Sequence, residues 1–517
     1  MRLARCRSVA LSGVRGTVVD IEVHIGGMPG FTIVGLPDAS LHEARDRVRA
    51  AVLSSAESWP LQRITVSLSP AVLPKRGSHF DLGIATAIVA AAEAEPMRIP
   101  ADLVLLGELA LDGRLRPVPG VLPASLAAVA AGASHVVVPE GNAGEAGLVP
   151  GLSVLGARSL RQVLAILRDE PVPDEPADPL AAAAAAGSSE AQLDLADVTG
   201  LGAAKHVLEV AAAGHHHLML TGPPGAGKTM LARRLPGLLP DLTTEESLDV
   251  TAIHSVAGIL APDRPLVTRP PFSDPHHTAT VVSVVGGGSR SLRPGAASLA
   301  HLGVLFLDEA PEFAPQVLDA LRQPLEHGEI VVSRAQATEV FPARFLLVLA
   351  ANPCKCGNHG TRGRTCECSP DAVRRYGLRI SGPVRDRIDL RCMVEPPTVA
   401  SLDGADSGGE PSKIVADRVA EARDRQRRRL AGTPWRVNGE VPGPVLRRDL
   451  RPPAGSLGPL QEAFRRGMIT ARGADRVLRV TCMLSWPTCK PLSICARART
   501  GPATSSGSAG SARIARP

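Results

Sequence analysis

Short apolar runs alternate with longer amphipathic ones along the first third of the chain. Residues 18–24, 31–34, 64–68 and 136–138 are alternating or uniformly apolar stretches of strand length, while residues 39–56 and 82–92 carry apolar positions at helical spacing. This predicts an α/β domain over residues 1–168. Asp112-Gly113, set between Glu108-Leu109-Ala110-Leu111 and Arg114-Leu115-Arg116, predicts a tight hairpin turn. Over residues 169–192 the chain turns to Pro, Asp, Ala and Ser, with alanine at every position of 181–186, and reads as a linker. A second α/β region, residues 193–395, opens with a helix at 203–213, a buried strand at 217–221, a glycine loop and another helix. Helical patterns at 414–430, 457–466 and 471–480 predict a small α-helical lid within residues 396–480. Residues 481–517 show no periodicity and are assigned no fold.

Size fits this division, since 517 residues suffice for two to four domains. Aromatics make up only 2%, so the cores must be built from Ala, Val, Leu and Ile, and few rings are left to stack on bases. The formal charge of +6 comes largely from the last stretch, where Lys490, Arg497, Arg499, Arg513 and Arg516 stand without an acid. Charge is therefore a weak pointer to any partner. No signal peptide is apparent in residues 1–10, and the longest apolar runs, such as 84–92, are too short to span a bilayer. A cytoplasmic location without a membrane partner is expected. Nine cysteines in such a chain argue against a disulfide framework, and four of them bunch between Cys354 and Cys368.

The chemistry is concentrated in the second region. Gly222-Pro223-Pro224-Gly225-Ala226-Gly227-Lys228-Thr229 follows an apolar strand and opens a helix, the context that makes this spacing a phosphate site. The glycines let backbone N–H groups curl around a β-phosphate, Lys228 spans the β- and γ-phosphates, and Thr229 holds Mg²⁺. ATP and Mg²⁺ are thus the expected ligands. The strand at 304–307 delivers Asp308 and Glu309, the first to orient the Mg²⁺ water shell and the second to polarise the attacking water. The strand at 345–351 ends in Asn352, which could lie between the other two strand ends and position that water. Asn before Pro is also an ordinary turn.

Residues 329–333 and 339–345 read as a hairpin with Ala335-Gln336 at its tip, a candidate substrate contact. In Asp386-Arg387-Ile388-Asp389, Arg387 is a candidate arginine finger for a neighbouring subunit, although spacing alone favours a surface ion pair with Asp386 or Asp389. Cys354, Cys356, Cys366 and Cys368 form two C-x-C pairs across a loop poor in apolar residues. They could hold a structural Zn²⁺ or stand as reduced thiols in a surface loop. His215-His216-His217 reads as the start of the strand rather than a metal tract.

The glycine loop and the Leu307-Asp308-Glu309 strand end are joined by Pro275-His276-His277, Gly286-Gly287-Gly288, Arg293-Pro294-Gly295 and Ser298-Leu299-Ala300-His301. With Asn352-Pro353-Cys354, Ser381-Gly382-Pro383 and the Arg387 segment, they resemble the magnesium-chelatase-like AAA+ ATPases of the ComM/YifB family over most of residues 2–480. The resemblance implies a homo-hexameric ring with Asn352 as first sensor, Arg387 as finger, Arg472 as second sensor, and residues 286–288 near a central pore. It also implies a Lon-protease-like (ribosomal S5 domain 2-like) fold for the N-terminal domain. A Lon-type peptidase needs a lysine-activated serine. Here His79-Phe80-Asp81-Leu82 occupies the serine region and Leu122 the lysine position, with Ser78 and Lys75 nearby. No peptidase activity is expected, and the domain reads as a substrate-handling or assembly module. The chain departs from the family at Ser273-Asp274, where the family tends to Arg-Ser, and from Thr481 onward, where reduced ATPase activity or poor assembly is expected.

The function implied is an ATP-dependent ring-forming motor acting on DNA, as in helicase or branch-migration activity during recombination or transformation. Arg290, Arg293 and Arg334 are candidate phosphate contacts. A chelatase-type motor working through a partner protein is the alternative, and the fused N-terminal domain stands against it. A nucleotide-gated protein remodeller with an inactive peptidase-like domain is a third.

Overall fold

Two β-sheets organise the chain, and the register of each follows from which side chains can be hidden. In the computed structural model the described residues are 2–93, 97–176, 193–288, 292–334, 337–361, 364–396, 409–450 and 457–484. The first sheet has seven strands in the order Phe31–Val34, Ile64–Ser69, Arg15–Ile25, Arg2–Ser12, Leu103–Leu105, His135–Pro139, Ser153–Ala157. Its two longest strands pair antiparallel from end to end, Arg2 opposite Ile25 and Ser12 opposite Arg15, and Gly13 makes the turn at φ 61°. Helices Ala39–Ser54, Asp81–Ala92 and Leu160–Leu167 cover one face, and Val121–Ala130 with Glu140–Ala146 the other.

The expected elements are present with small shifts of boundary, and the turn at Asp112-Gly113 joins Glu108–Leu109 to Leu115–Arg116 with Gly113 at φ 87°. Strand Arg2–Ser12 was not expected. Its arginines obscure the alternation, because they face acids across the ladder instead of water alone: Arg5 lies 2.8 Å from Glu22 and Arg7 3.3 Å from Asp20.

The region matched to the peptidase serine is built as packing. His79 is half-buried and bonds the Val9 carbonyl at 2.8 Å. Asp81 is buried against Arg47 at 2.7 Å; burial pushes its carboxyl up to about 6 and the guanidinium opposes this. The Ser78 hydroxyl donates to Glu108, the Lys75 ammonium donates to the Pro70 carbonyl, and Leu122 is a core residue.

The second sheet is parallel, in the order Phe272–Ser273, Val304–Leu307, Leu346–Ala351, Leu218–Thr221, Leu390–Met393. Strands Val304–Leu307 and Leu346–Ala351 are uniformly buried, as strands with helices on both faces must be. Leu390–Met393 was not expected as a strand. Helix Thr244–Ala257 was also missed, although Thr243 and Glu246 form a capping box at its start. The hairpin is Glu329–Arg334 with Ala337–Pro342, so its second strand ends three residues before the expected point and leaves Phe345 to lead into the next strand. Its tip, Ala335-Gln336, lies outside the described residues.

The region expected as a helical lid contains helices Ser412–Arg429, Gly443–Arg448, Gly458–Arg465 and Ala471–Leu484. The first docks on helix Gly202–Gly214 through a paired Arg418–Glu209 contact at 2.7 and 3.0 Å and through Arg423 and Gln426, which cap the carbonyls of Ala212 and Ala213. The last runs four residues beyond the expected end at Val480. Residues 485–517, like most of the expected linker (177–192), lie outside the described set. Among the described residues no helix is long and apolar enough to cross a membrane.

Burial pulls His79, His217 and His301 each down to about 4. An unfolded chain holds those protons up to about 6.5, so between these limits the unfolded state binds more protons and stability rises with pH. Acidification from about pH 7 to about pH 5 is expected to lower the unfolding midpoint, and His79→Gln to flatten that dependence. Circular dichroism melts at the two pH values check this; identical wild-type midpoints would contradict it.

Candidate nucleotide site

Strand order decides which residues meet. Strand Leu346–Ala351 pairs with Leu218–Thr221 on one side and Val304–Leu307 on the other, so Asn352 emerges between the glycine loop and the acidic pair. Gly222 leaves its strand so close to the neighbouring chain that an added Cβ would lie 2.2 Å from the Val394 carbonyl oxygen. Gly225 and Gly227 take φ of 78° and 90°, a region side chains avoid. The loop thereby delivers Lys228 and Thr229 to the first turn of helix Lys228–Arg234, whose N–H groups have no partner within the helix.

Lys228 is 8% exposed, and its ammonium donates to the Gly222 carbonyl at 2.7 Å, the Pro223 carbonyl at 3.0 Å and Asn352 Oδ1 at 3.0 Å. Burial lowers its pKa, while Asp308 and Glu309 act in the opposite sense. Thr229 donates to Asp308 Oδ2 at 2.6 Å, and Asp308 Oδ1 accepts the Glu309 N–H at 2.9 Å. Glu309 takes the left-handed conformation at φ 50°, which turns its carboxylate out of the strand end. His277 Nδ1 lies 3.6 Å from that carboxylate. The sequence drew attention to the His276-His277 pair without indicating this neighbour. Asp274, which departs from the family pattern, pairs with Arg233 on the loop's own helix at 3.1 Å.

These groups suit a nucleoside triphosphate. A hydroxyl and a carboxylate 2.6 Å apart are the hard oxygen donors a hydrated Mg²⁺ takes, and that ion would supply charge neutralisation along the phosphates.

The arginines lie elsewhere. The N–H groups of Asp389 and Leu390 donate to the His217 carbonyl, which places the Arg387 segment at the start of the sheet's strands rather than their end. The strand between has four residues, so the two edges are separated by roughly 13 Å. Arg387 pairs with Glu326 and donates to the Pro383 carbonyl at 2.6 Å; the ion pair with Asp386 or Asp389 expected from spacing is not made, because Asp389 turns inward to His216 at 3.0 Å. Arg472 instead lies 3.6 Å from Asp386. Two further arginines on its helix were missed. Arg476 donates to the carbonyls of Arg385 and Ile388 at 3.1 Å, and Arg479 lies 3.2 Å from Asp389. Their spacing from Arg472, four and seven residues along one helix face, was the available signal. His217 Nδ1 accepts the Leu347 N–H at 3.1 Å, so the histidine tract serves the strand start.

All four clustered cysteines converge, their sulfurs within 4.8 Å of one another in an arrangement able to hold a metal. The Asn358 N–H and the neighbouring Cys354 thiol pull Cys356 down to about 6. Arg290 lies outside the described residues; Arg293 is exposed on a two-residue strand paired with Gly286–Gly287.

A parallel sheet with a glycine loop, an acidic pair on the next strand but one and a polar residue on the strand between defines a P-loop nucleotide-binding core of the AAA+ type. Family comparison agrees. Residues 194–402 match the family described as magnesium chelatase, subunit ChlI; residues 19–142 match subunit ChlI of Mg-chelatase; residues 409–485 match its C-terminal part. The chain is 50% identical over 488 residues to the protein Rv2897c of Mycobacterium tuberculosis, covering 94% of this chain and 95% of that one. It is 43% identical over 430 residues to YifB of Escherichia coli, covering 83% of each, and 41% identical over 483 residues to Competence protein ComM of Haemophilus influenzae, covering 93% of each. The chain belongs to the magnesium-chelatase-like ComM/YifB family, a membership that implies ATP and Mg²⁺ as ligands and ATPase activity as the general class.

Asp308→Asn is expected to leave the fold intact and to raise the magnesium concentration needed for tight ATP binding on the order of tenfold. Titration of a fluorescent ATP analogue at several magnesium concentrations checks it; an unchanged magnesium requirement would remove Asp308 from the site.

Proposed function

We propose that the chain is an ATP-driven ring motor that works on DNA, in recombination or transformation. The observation that carries the reading is the split placement of its charged groups: the phosphate loop, Asp308, Glu309 and Asn352 gather at one edge of the sheet, Arg387 and Arg472 at the other. One chain cannot bring its own arginines to its own phosphates. A neighbouring copy can, and a closed ring gives every copy such a neighbour. AAA+ proteins commonly form hexamers, which fits that arrangement.

In this scheme Lys228 exchanges the carbonyls of Gly222 and Pro223 for the β- and γ-phosphate oxygens. Asn352 holds the attacking water in line and Glu309 takes its proton, with His277 steadying the carboxylate. Arg387 of the adjacent copy leaves Glu326 and stabilises the charge developing on the transferred group, with Arg472 beside it. DNA as the track is supported by the name of the 41% identical relative, Competence protein ComM. Arg293, on the glycine hairpin, is a candidate for a phosphate contact in the pore. The first α/β unit, with a Lon-like fold, serves substrate handling or assembly, and the helical lid carries Arg472. The chelatase-type alternative draws no support from any feature of the site.

The test is ATP turnover with and without single-stranded and forked DNA. DNA is expected to raise turnover by the wild type, Lys228→Ala to lose nucleotide binding, and Glu309→Gln to bind ATP while turnover falls by roughly 10²-fold or more. Arg387→Ala is expected to be inactive alone and to regain activity when mixed with Glu309→Gln, because some interfaces then combine an intact acid with an intact arginine. Two inactive preparations that stay inactive after co-assembly would contradict the shared site, and turnover indifferent to DNA would contradict the track.

A further inference from the structure

The cysteine cluster is braced directly against the phosphate loop. Cys354 follows Asn352 by two residues and is buried, and its sulfur lies 3.3 Å from that of Cys356 and 3.7 Å from that of Cys366, with Cys356 and Cys366 3.6 Å apart. Four thiolates around one Zn²⁺, each at about 2.3 Å, stand about 3.8 Å from one another at tetrahedral geometry. A disulfide would need about 2.05 Å. The sulfurs therefore sit at the spacing of a shared ion, not of a bond. Around Cys354 the backbone is arranged as a tight turn: its carbonyl accepts the Gly357 N–H at 3.0 Å and its sulfur accepts the His359 N–H at 3.3 Å. An N–H aimed at a sulfur favours the thiolate that binds metal.

The same turn touches the nucleotide site. Gly357, at φ 81°, comes so close to the loop that an added Cβ would lie 2.4 Å from Pro224 Cδ. On the other side of Cys354, Asn352 receives the Lys228 ammonium. One knuckle thus fixes both the flank of the phosphate loop and the polar residue beside its lysine. The segment between the cysteine pairs, rich in Gly, Asn, Thr and Arg, offers almost nothing apolar to hold that knuckle in place.

We infer that Cys354, Cys356, Cys366 and Cys368 bind one structural Zn²⁺ and that this ion, by holding Gly357 against Pro224, sets the affinity of the phosphate loop for nucleotide. The inference rests on the nucleotide-site reading above and adds a metal dependence to it. Ligation takes the thiols as thiolates and releases their protons, with no change of oxidation state.

Elemental analysis of the purified full-length chain is expected to find about one zinc per chain. Chelation is expected to remove the zinc, to expose thiols to a thiol reagent and to weaken binding of a fluorescent ATP analogue on the order of tenfold, with zinc addition restoring it. Cys366→Ser should reproduce the loss. Gly357→Ala leaves every sulfur in place and should retain zinc while weakening the nucleotide to a similar degree, so the coupling is tested even if the cysteine variant fails to fold. A wild-type chain purified with no zinc, yet binding the analogue as tightly after zinc addition as before, overturns the metal site, and zinc removal that leaves nucleotide affinity unchanged overturns the coupling. A zinc-loaded chain that binds no nucleotide overturns the nucleotide reading instead.

Discussion

Lys228 carries an ammonium group into surroundings that leave it 8% exposed, and a buried charge persists only where oxygens surround it. Three oxygens do so, two from the loop's own backbone and one from Asn352. The backbone oxygens need the glycines, because the curl that turns them inward uses φ values of 78° and 90° that residues with a side chain rarely adopt. The third needs the strand order, since Asn352 stands beside the lysine only because its strand is inserted between those of the loop and the acids. A triphosphate competes for the same ammonium with full negative charge, so the arrangement holds the lysine in position while leaving it exchangeable.

The opposite edge of the sheet is constrained by the converse requirement. Asp389 is buried with His216 and paired with the half-buried Arg479, so the segment before it is tied down and cannot fold back toward the phosphate loop. Breaking such a set by removing one member strands the others and is costly, on the order of 3–5 kcal/mol for a buried pair. Arg387, two residues earlier, is left at the margin, half-buried and paired with Glu326. Arg472, Arg476 and Arg479 descend one helix from an exposed pair with Asp386 to a half-buried pair with Asp389. On the proposed reading, a rigid anchor inside and a releasable cation outside is what an arginine reaching toward a neighbouring copy requires.

How much of this was legible depended on how local each signal was. The glycine loop could be read because its full spacing stands between an apolar strand and a helix, and Asp308-Glu309 and Asn352 because each follows an uninterrupted apolar strand directly. The cysteine cluster was visible as four thiols in fifteen residues, but its contact with Pro224 lay more than a hundred residues away and was not. Strand Arg2–Ser12 was hidden because its charges are satisfied by Asp20 and Glu22 on a partner that a single segment does not reveal. Leu390–Met393 is too short, and too mixed in polarity, to announce a strand; pairing with Leu218–Thr221 makes it one. The spacing of Arg387 suggested Asp386 or Asp389 as partners, and the actual one, Glu326, comes from another helix.

The first α/β unit is held to the second by polar contacts too well buried to be incidental. Glu145 is 7% exposed and accepts the Leu122 N–H at 2.8 Å, an Asn142 amide N–H at 3.2 Å and the hydroxyl of Ser255 on helix Thr244–Ala257. Burial raises its pKa, and these three donors oppose that. A second tie joins Arg76 to Glu339 on the hairpin stem at 3.3 Å, beside Gly13, where an added Cβ would lie 2.8 Å from the Val340 carbonyl oxygen. A hairpin gripped at its stem cannot swing independently of the unit that grips it. On the proposed reading, any displacement of the hairpin during the ATP cycle is therefore shared with the first α/β unit, which makes that unit a moving part of the motor rather than a passive attachment.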